Sequence, residues 1–125
     1  MKRYILYGLF FVSIYSYAQE KVSKKVIEAK DLKELSAKSK IQLLDVRTER
    51  EYKLGFIKGA TRININDRNF VDQVARTFDK EKPIYIYCAV GGRSNKASMM
   101  LLKNGFKKVY DLKGGYKQWV KQQKR

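Results

Sequence analysis

This chain is expected to form a compact α/β fold, a parallel sheet covered by helices on both faces. Three observations lead there. Five short β-type runs alternate with helix-type segments along the chain, the alternation that builds such sheets. Two of the runs, Ile41–Asp45 and Ile84–Cys88, are compact and apolar, as strands buried on both faces are. No repeat, low-complexity tract or internal linker interrupts the pattern.

Residues 19–25 are polar and basic and read as an exposed lead-in to a single domain over residues 26–123. Val26-Ile27 is a short first strand. Asp31 to Lys38 carries Leu32 and Leu35 at helical spacing. Ile41–Asp45 ends in a charge, as a buried strand does at its C-terminal edge. Thr48-Glu-Arg-Glu51 is a capping box, in which Thr and Glu satisfy each other's free backbone donors at a helix start. Gly55 and Gly59 punctuate the loop beyond, and Thr61–Ile65 is a third strand. Val71, Val74, Ala75 and Phe78 recur at i, i+3, i+4 and i+7, the stripe of an amphipathic helix. Pro83 introduces Ile84–Cys88, the most β-like run. Ser94 to Asn104 places Ala97, Met100 and Leu101 on one helical face, and Gly105 suits the C′ position. Val109–Leu112 is the last strand, and Gly114-Gly115 lead into a terminal helix with Tyr116, Trp119 and Val120 inward. The aromatics Phe70, Phe78, Tyr85, Tyr87, Phe106 and Trp119 read as core packing.

The opening eighteen residues have the three parts of an export signal. Lys2 and Arg3 supply the positive start, Ile5 to Ile14 is nearly all apolar, and Ser16-Tyr17-Ala18 sets small residues around a cut after Ala18. A retained membrane anchor is the alternative; spanning needs about 20 apolar residues, and this run is shorter. No cysteine lies at the cut, which disfavours a lipoprotein. The expectation is an exported, periplasmic protein with no stable membrane insertion once the signal is removed. The chain of 125 residues carries a formal charge of +16, a field that attracts anions. The basic residues are scattered and form no single stripe, and export removes nucleic acid from reach, so no nucleic-acid partner is expected. The chain has no histidine, which excludes His-based metal sites and Cys–His or Ser–His catalysis.

Cys88 is the only cysteine, so no internal disulfide can form. It ends a β-type run and is followed by Ala89, Val90, Gly91, Gly92, Arg93 and Ser94, then by helix. That order sets a thiol over backbone N–H groups at a helix N-terminus, which bind anions and favour thiolate. The amides of residues 89–94 are expected to converge on the sulfur, with Gly91 and Gly92 supplying the positive φ angles of the turn. The helix dipole and the Arg93 charge add to the effect. The competing reading is a buried structural cysteine, common among free cysteines; the glycines and arginine at this spacing oppose it. The functional reading requires the main chain of residues 88–94 to curl round the sulfur and the sulfur to stay reachable.

Cys88-Ala-Val-Gly-Gly-Arg93-Ser94 resembles the C-x-x-G-x-R-S active loop of single-domain rhodaneses. Leu43-Leu-Asp45-Val-Arg47-Thr-Glu-Arg-Glu51-Tyr52 is similar to that family's L-x-D-V-R-x-x-x-E-Y segment. Gly55-Phe-Ile57-Lys-Gly59-Ala60 resembles its G-H-I-x-G-A turn, with Phe56 in place of the usual His. Residues 109–119 resemble its closing V-x-x-L-x-G-G-x-x-x-W. The similarity runs over roughly residues 25 to 123. It implies a five-stranded parallel sheet with helices on both sides. Phe56 is expected to repack its turn without loss of chemistry, and Asp45 and Arg47 to brace the fold beneath the loop.

The resemblance also implies sulfurtransferase chemistry without cofactor or metal. Catalytic Cys88 would attack the outer sulfur of a small anionic donor such as thiosulfate, release sulfite and carry a persulfide. A thiol or cyanide would then take the sulfur, a covalent two-step scheme. Ala89 to Ser94, including Arg93 at the sulfonate end, would bind the donor. A thioredoxin-like protein is a candidate partner. Three rivals stand beside this. A cysteine phosphatase or arsenate reductase has one residue more between Cys and Arg. A low-turnover sulfur carrier would use the same loop and hand its persulfide to a partner protein. A basic nucleic-acid binder would show tight, salt-dependent binding.

Overall fold

The computed structural model describes residues 23–125. Both the expected signal, residues 1–18, and residues 19–22 of the lead-in lie outside the described residues. Five strands and five helices alternate: β1 Lys25–Ile27, α1 Ala29–Lys38, β2 Gln42–Asp45, α2 Glu49–Lys53, β3 Thr61–Arg62, α3 Phe70–Thr77, β4 Ile84–Tyr87, α4 Gly92–Lys103, β5 Val109–Leu112 and α5 Gly115–Gln123. The strands form one sheet in the order β1-β5-β4-β2-β3, and every pairing is parallel.

Each face buries its own apolar cluster. On one, Ile84, Ile86 and Cys88 of the β4 segment meet Phe70 and Val74 of α3 and Ala97 and Leu101 of α4. On the other, Leu43, Tyr85, Tyr87 and Leu112 meet Ala29 and Leu32 of α1, with Tyr116 and Trp119 of α5 packed against them. Successive strand residues point to opposite faces, which is why Ile86 and Tyr87 serve different clusters. Val120, expected inward, is half-buried and outside both clusters. The amphipathic stripe of α3 and the six named aromatics pack as the sequence suggests.

Local signals hold in detail. Thr48 and Glu51 close a reciprocal capping box on α2. Gly105 adopts φ 94°; its N–H reaches the Leu102 carbonyl and that of Phe106 the Leu101 carbonyl, the paired bonds of a Schellman stop. Boundaries shift where hydrogen bonding overrides composition. Only Thr61 and Arg62 of the expected third strand pair regularly; beyond them Ile63 and Ile65 donate to the Asp45 and Val46 carbonyls of β2 and its extension. Lys25, placed in the lead-in by composition, opens β1 and pairs with Tyr110.

The topology positions the site. The connection after β2 leads outward to β3, whereas that after β4 leads the opposite way to β5. A crevice therefore opens between the carboxyl ends of β2 and β4, where open α/β sheets bind ligands. Asp45 is in register with Tyr87, so Cys88 follows immediately at that edge, on the central strand.

Candidate active site

The backbone turns sharply after Cys88. Gly91 takes φ 126°, which a side chain would strain, and α4 begins at Gly92. The expectation that both glycines need positive φ is corrected: Gly92 is the first helical residue and has ordinary φ. The turn aims the Gly91 N–H at the Cys88 sulfur, 3.0 Å away. The Cys88 Sγ–Ser94 Oγ distance is 3.4 Å, and the Ser94 hydroxyl also reaches the Gly91 carbonyl at 3.2 Å. Ser94 is held by helix geometry, fully buried, with Ser98 donating to its carbonyl at 2.7 Å.

Burial alone pushes the Cys88 thiol up. The Ser94 hydroxyl and the amides of Ser94, Gly91 and Val90 outweigh it, and the thiol titrates below its ordinary value. Hydrogen bonds to the charged form do this because only the thiolate can accept several at once. The curl of the chain round the sulfur is thus present. The reachability of the sulfur differs from expectation: Cys88 is 1% exposed, beneath a loop whose Val90 side chain is 65% exposed.

Arg93 has a partner the loop motif does not name. Its guanidinium, about a third exposed, forms a two-pronged ion pair with Glu51, Nη1–Oε1 2.6 Å and Nη2–Oε2 2.7 Å. The hydrogen bond from Arg93 holds the Glu51 carboxyl down at about 2, against the opposing effect of burial. Glu51 is the capping-box residue of α2, so one side chain closes a helix start and binds the active-loop arginine. That second role leaves no mark in the sequence, because the pairing spans 42 residues.

Beneath the loop lies a buried support. Arg47 forks onto Asp45, with Nη2–Oδ2 at 2.7 Å, and its Nη2 donates to the Gly55 carbonyl at 2.7 Å. Its guanidinium lies over the rings of Tyr116 and Tyr87, at 4.4 and 5.4 Å, and the Tyr87 hydroxyl accepts from the Ile57 N–H. Asp45 and Arg47 therefore brace the fold, as expected. Phe56 stacks on Tyr52 with centroids 4.1 Å apart.

Spacing along the chain does not reveal two further contributors. The Tyr116 N–H binds the Cys88 carbonyl at 2.8 Å, and the Lys117 N–H binds the Ala89 carbonyl at 3.0 Å. The N-terminus of α5 thus grips the strand end from below and leaves the amide side of the loop for the sulfur. Gly115 makes this approach feasible, since a Cβ there would lie 2.6 Å from both carbonyl oxygens. The doublet Gly114-Gly115 is the available signal; reading it as a mere helix lead-in is too weak.

A parallel α/β sheet whose central strand ends in an amide-cradled cysteine defines a distinct class of α/β domain. The Rhodanese-like domain profile matches residues 28–122, and the chain belongs to that family, whose characterised members include sulfurtransferases. It is 34% identical over 116 residues to the uncharacterized protein YqhL of Bacillus subtilis, covering 92% of this chain and 88% of that one. It is 34% identical over 120 residues to thiosulfate sulfurtransferase 18 of Arabidopsis thaliana, covering 87% and 85%. The tRNA uridine(34) hydroxylase of Acinetobacter baumannii shares 35% over 99 residues, but the chain spans only 32% of that protein. Among solved structures, the rhodanese-like domain protein of Staphylococcus aureus superposes with a TM-score of 0.68 at 34% identity, covering 76% of this chain and 90% of that one.

Proposed function

We propose that the protein is a sulfurtransferase that accepts sulfane sulfur from a small anionic donor such as thiosulfate onto Cys88. The observation that carries the reading is the ring of donors on the sulfur: Gly91 N–H at 3.0 Å, with the Ser94 hydroxyl and amide and the Val90 amide favouring thiolate. The thiolate attacks the donor's outer sulfur, the S–S bond of the donor breaks, and sulfite leaves with the bonding pair. The persulfide then passes its outer sulfur to cyanide or a thiol, and the Cys88 thiolate returns. The cradle stabilises negative charge on either sulfur without reorganising.

Arg93 enters this scheme differently from an open donor clamp. Glu51 takes one N–H from each Arg93 Nη, so a sulfonate meets the remaining N–H groups of a guanidinium whose charge Glu51 already partly neutralises. Four residues, Ala89 to Gly92, separate Cys88 from Arg93. That short ring suits one sulfur atom better than a tetrahedral phosphate.

The 1% exposure of Cys88 favours a second reading, a low-turnover carrier that passes its persulfide to a partner protein such as a thioredoxin-like one. Both readings need the loop of residues 89–92 to admit the donor. Intact mass after thiosulfate treatment tests both: a gain of one sulfur atom, absent in Cys88→Ser, is expected. Fast thiosulfate:cyanide turnover then selects the enzyme, and slow turnover with a stable adduct selects the carrier. No adduct and no turnover overturn both. Export through residues 1–18 belongs to the same proposal; an N-terminal sequence beginning at Gln19 in the mature protein supports it, and a full-length chain found in the cytoplasm contradicts it.

A further inference from the structure

One buried polar group has no role in that scheme. Asp111, on β5, is 6% exposed, and its Oδ1 has no hydrogen-bond partner. A buried carboxylate oxygen left unpaired costs free energy, so its retention calls for a reason. Asp111 is in register with Ile86 of β4 and so lies on the α4 side of the sheet, beside the segment that carries Cys88. Its Oδ2 is 3.5 Å from Lys24 Nζ, and Lys24 also bonds the Asn95 side chain on α4. Burial raises the Asp111 carboxyl, and the Ser94 hydroxyl and Lys24 only partly oppose this. Ser94, with Gly91, contacts the Cys88 sulfur.

A hydroxyl has one proton to give. Two acceptors lie within reach of that of Ser94, the Gly91 carbonyl and the Cys88 sulfur, and the Asp111 carboxylate, in register with Ile86 two residues before Cys88, lies on the same face of the sheet. A thiol can donate to the Ser94 oxygen, but a thiolate cannot, and it needs the hydroxyl proton turned toward it. An ionised Asp111 competes for that proton and adds a second buried negative charge. Lys24 offsets both effects by engaging Oδ2. The charged groups facing this cluster are Lys24 at Asp111, and Arg93, itself held by Glu51, at Cys88.

We propose that Lys24 and Asp111 are positioning residues that set the reactivity of Cys88 through Ser94. Lys24 lies just before residues 28–122, the span of the family match, whereas Ser94 and Asp111 lie within it. The idea rests on Cys88 as the sulfur nucleophile. Its readout is alkylation of the thiol, so its failure is separable from failure of sulfur transfer.

The test is the rate of Cys88 alkylation by iodoacetamide against pH, in the purified protein. Lys24→Ala is expected to slow alkylation at pH 7 by roughly threefold or more, the effect of one charge on a partly buried neighbour. Lys24→Arg restores the rate. Asp111→Asn speeds alkylation, and adding Lys24→Ala to it changes nothing further. A Lys24→Ala effect of equal size in both backgrounds, or none in either, overturns the proposal. Thermal melts of all four variants, with Lys24→Arg as the conservative control, exclude loss of fold as the cause.

Discussion

Replacing Gly115 by alanine tests how the fold holds the active loop. Gly115 has φ 61°, and a Cβ there would lie 2.6 Å from the Cys88 and Ala89 carbonyl oxygens and 2.7 Å from the Ala89 carbonyl carbon. Those atoms are backbone, pinned by the Tyr116 and Lys117 amides, and cannot swing aside as a side chain does. Two costs add. The left-handed backbone disfavours any Cβ by roughly 1–2 kcal/mol, and forcing an atom into a packed site costs roughly 1–3 kcal/mol more. Gly59 separates them, because it has φ 88° and a Cβ added there would meet nothing within 4 Å. Gly59→Ala is therefore expected to lose about 1–2 kcal/mol and Gly115→Ala roughly 2–5 kcal/mol. In a domain this small each kcal/mol moves the melting temperature by about 4–8 °C. Calorimetry or urea titration reads the difference, and Cys88 alkylation should change only in Gly115→Ala. Equal destabilisation by the two substitutions, with unchanged Cys88 reactivity, refutes the claim that α5 sets the loop.

Ser94→Ala removes a hydrogen bond to the thiolate worth about 1.5 kcal/mol; alkylation at pH 7 should fall about tenfold, and an unchanged pH profile contradicts the cradle. Glu51→Gln bears on acid stability. The Glu51 carboxyl is depressed from 4.5 to about 2, so its stabilising contribution is present above the unfolded value and lost as pH falls from 4.5 toward about 2. The variant should lose less stability across that window, read as urea midpoints at several pH values, and identical slopes count against the ion pair. The same variant loosens Arg93 and should lower the thiosulfate KM; a higher KM shows that Arg93 needs Glu51 for its position. Arg47→Ala leaves Asp45 buried and unpaired and should cost about 3–5 kcal/mol, whereas a loss under about 1 kcal/mol by denaturant titration removes Arg47 from the support.

Much of this molecule is legible along the chain, and the reason is local. Capping at Thr48, the stop at Gly105, the stripe of α3 and the turn after Cys88 each depend on residues within a few positions of one another. The stack of Phe56 on Tyr52 is equally local, though the sequence reading does not name it. Thr61–Ile65 reads longer as a strand than it is, because apolar composition shows burial, whereas ladder pairing requires a partner in register. Lys24 and Lys25 look like solvated charge in the sequence; their partners, Asp111 and Tyr110, come from β5 at the other end of the chain.

Short-range spacing is enough to dictate the order of elements, the parallel sheet, the candidate nucleophile Cys88 and the turn that follows it. What that loop leans on is settled only when the strands stack. Folding turns Arg93 onto Glu51, sets the α5 amides under the Cys88 and Ala89 carbonyls, covers the sulfur, and places Asp111 beside Ile86 and within reach of Lys24. Ion pairs and close backbone contacts between distant segments follow from how the strands lie side by side, and no periodicity along a single segment encodes them.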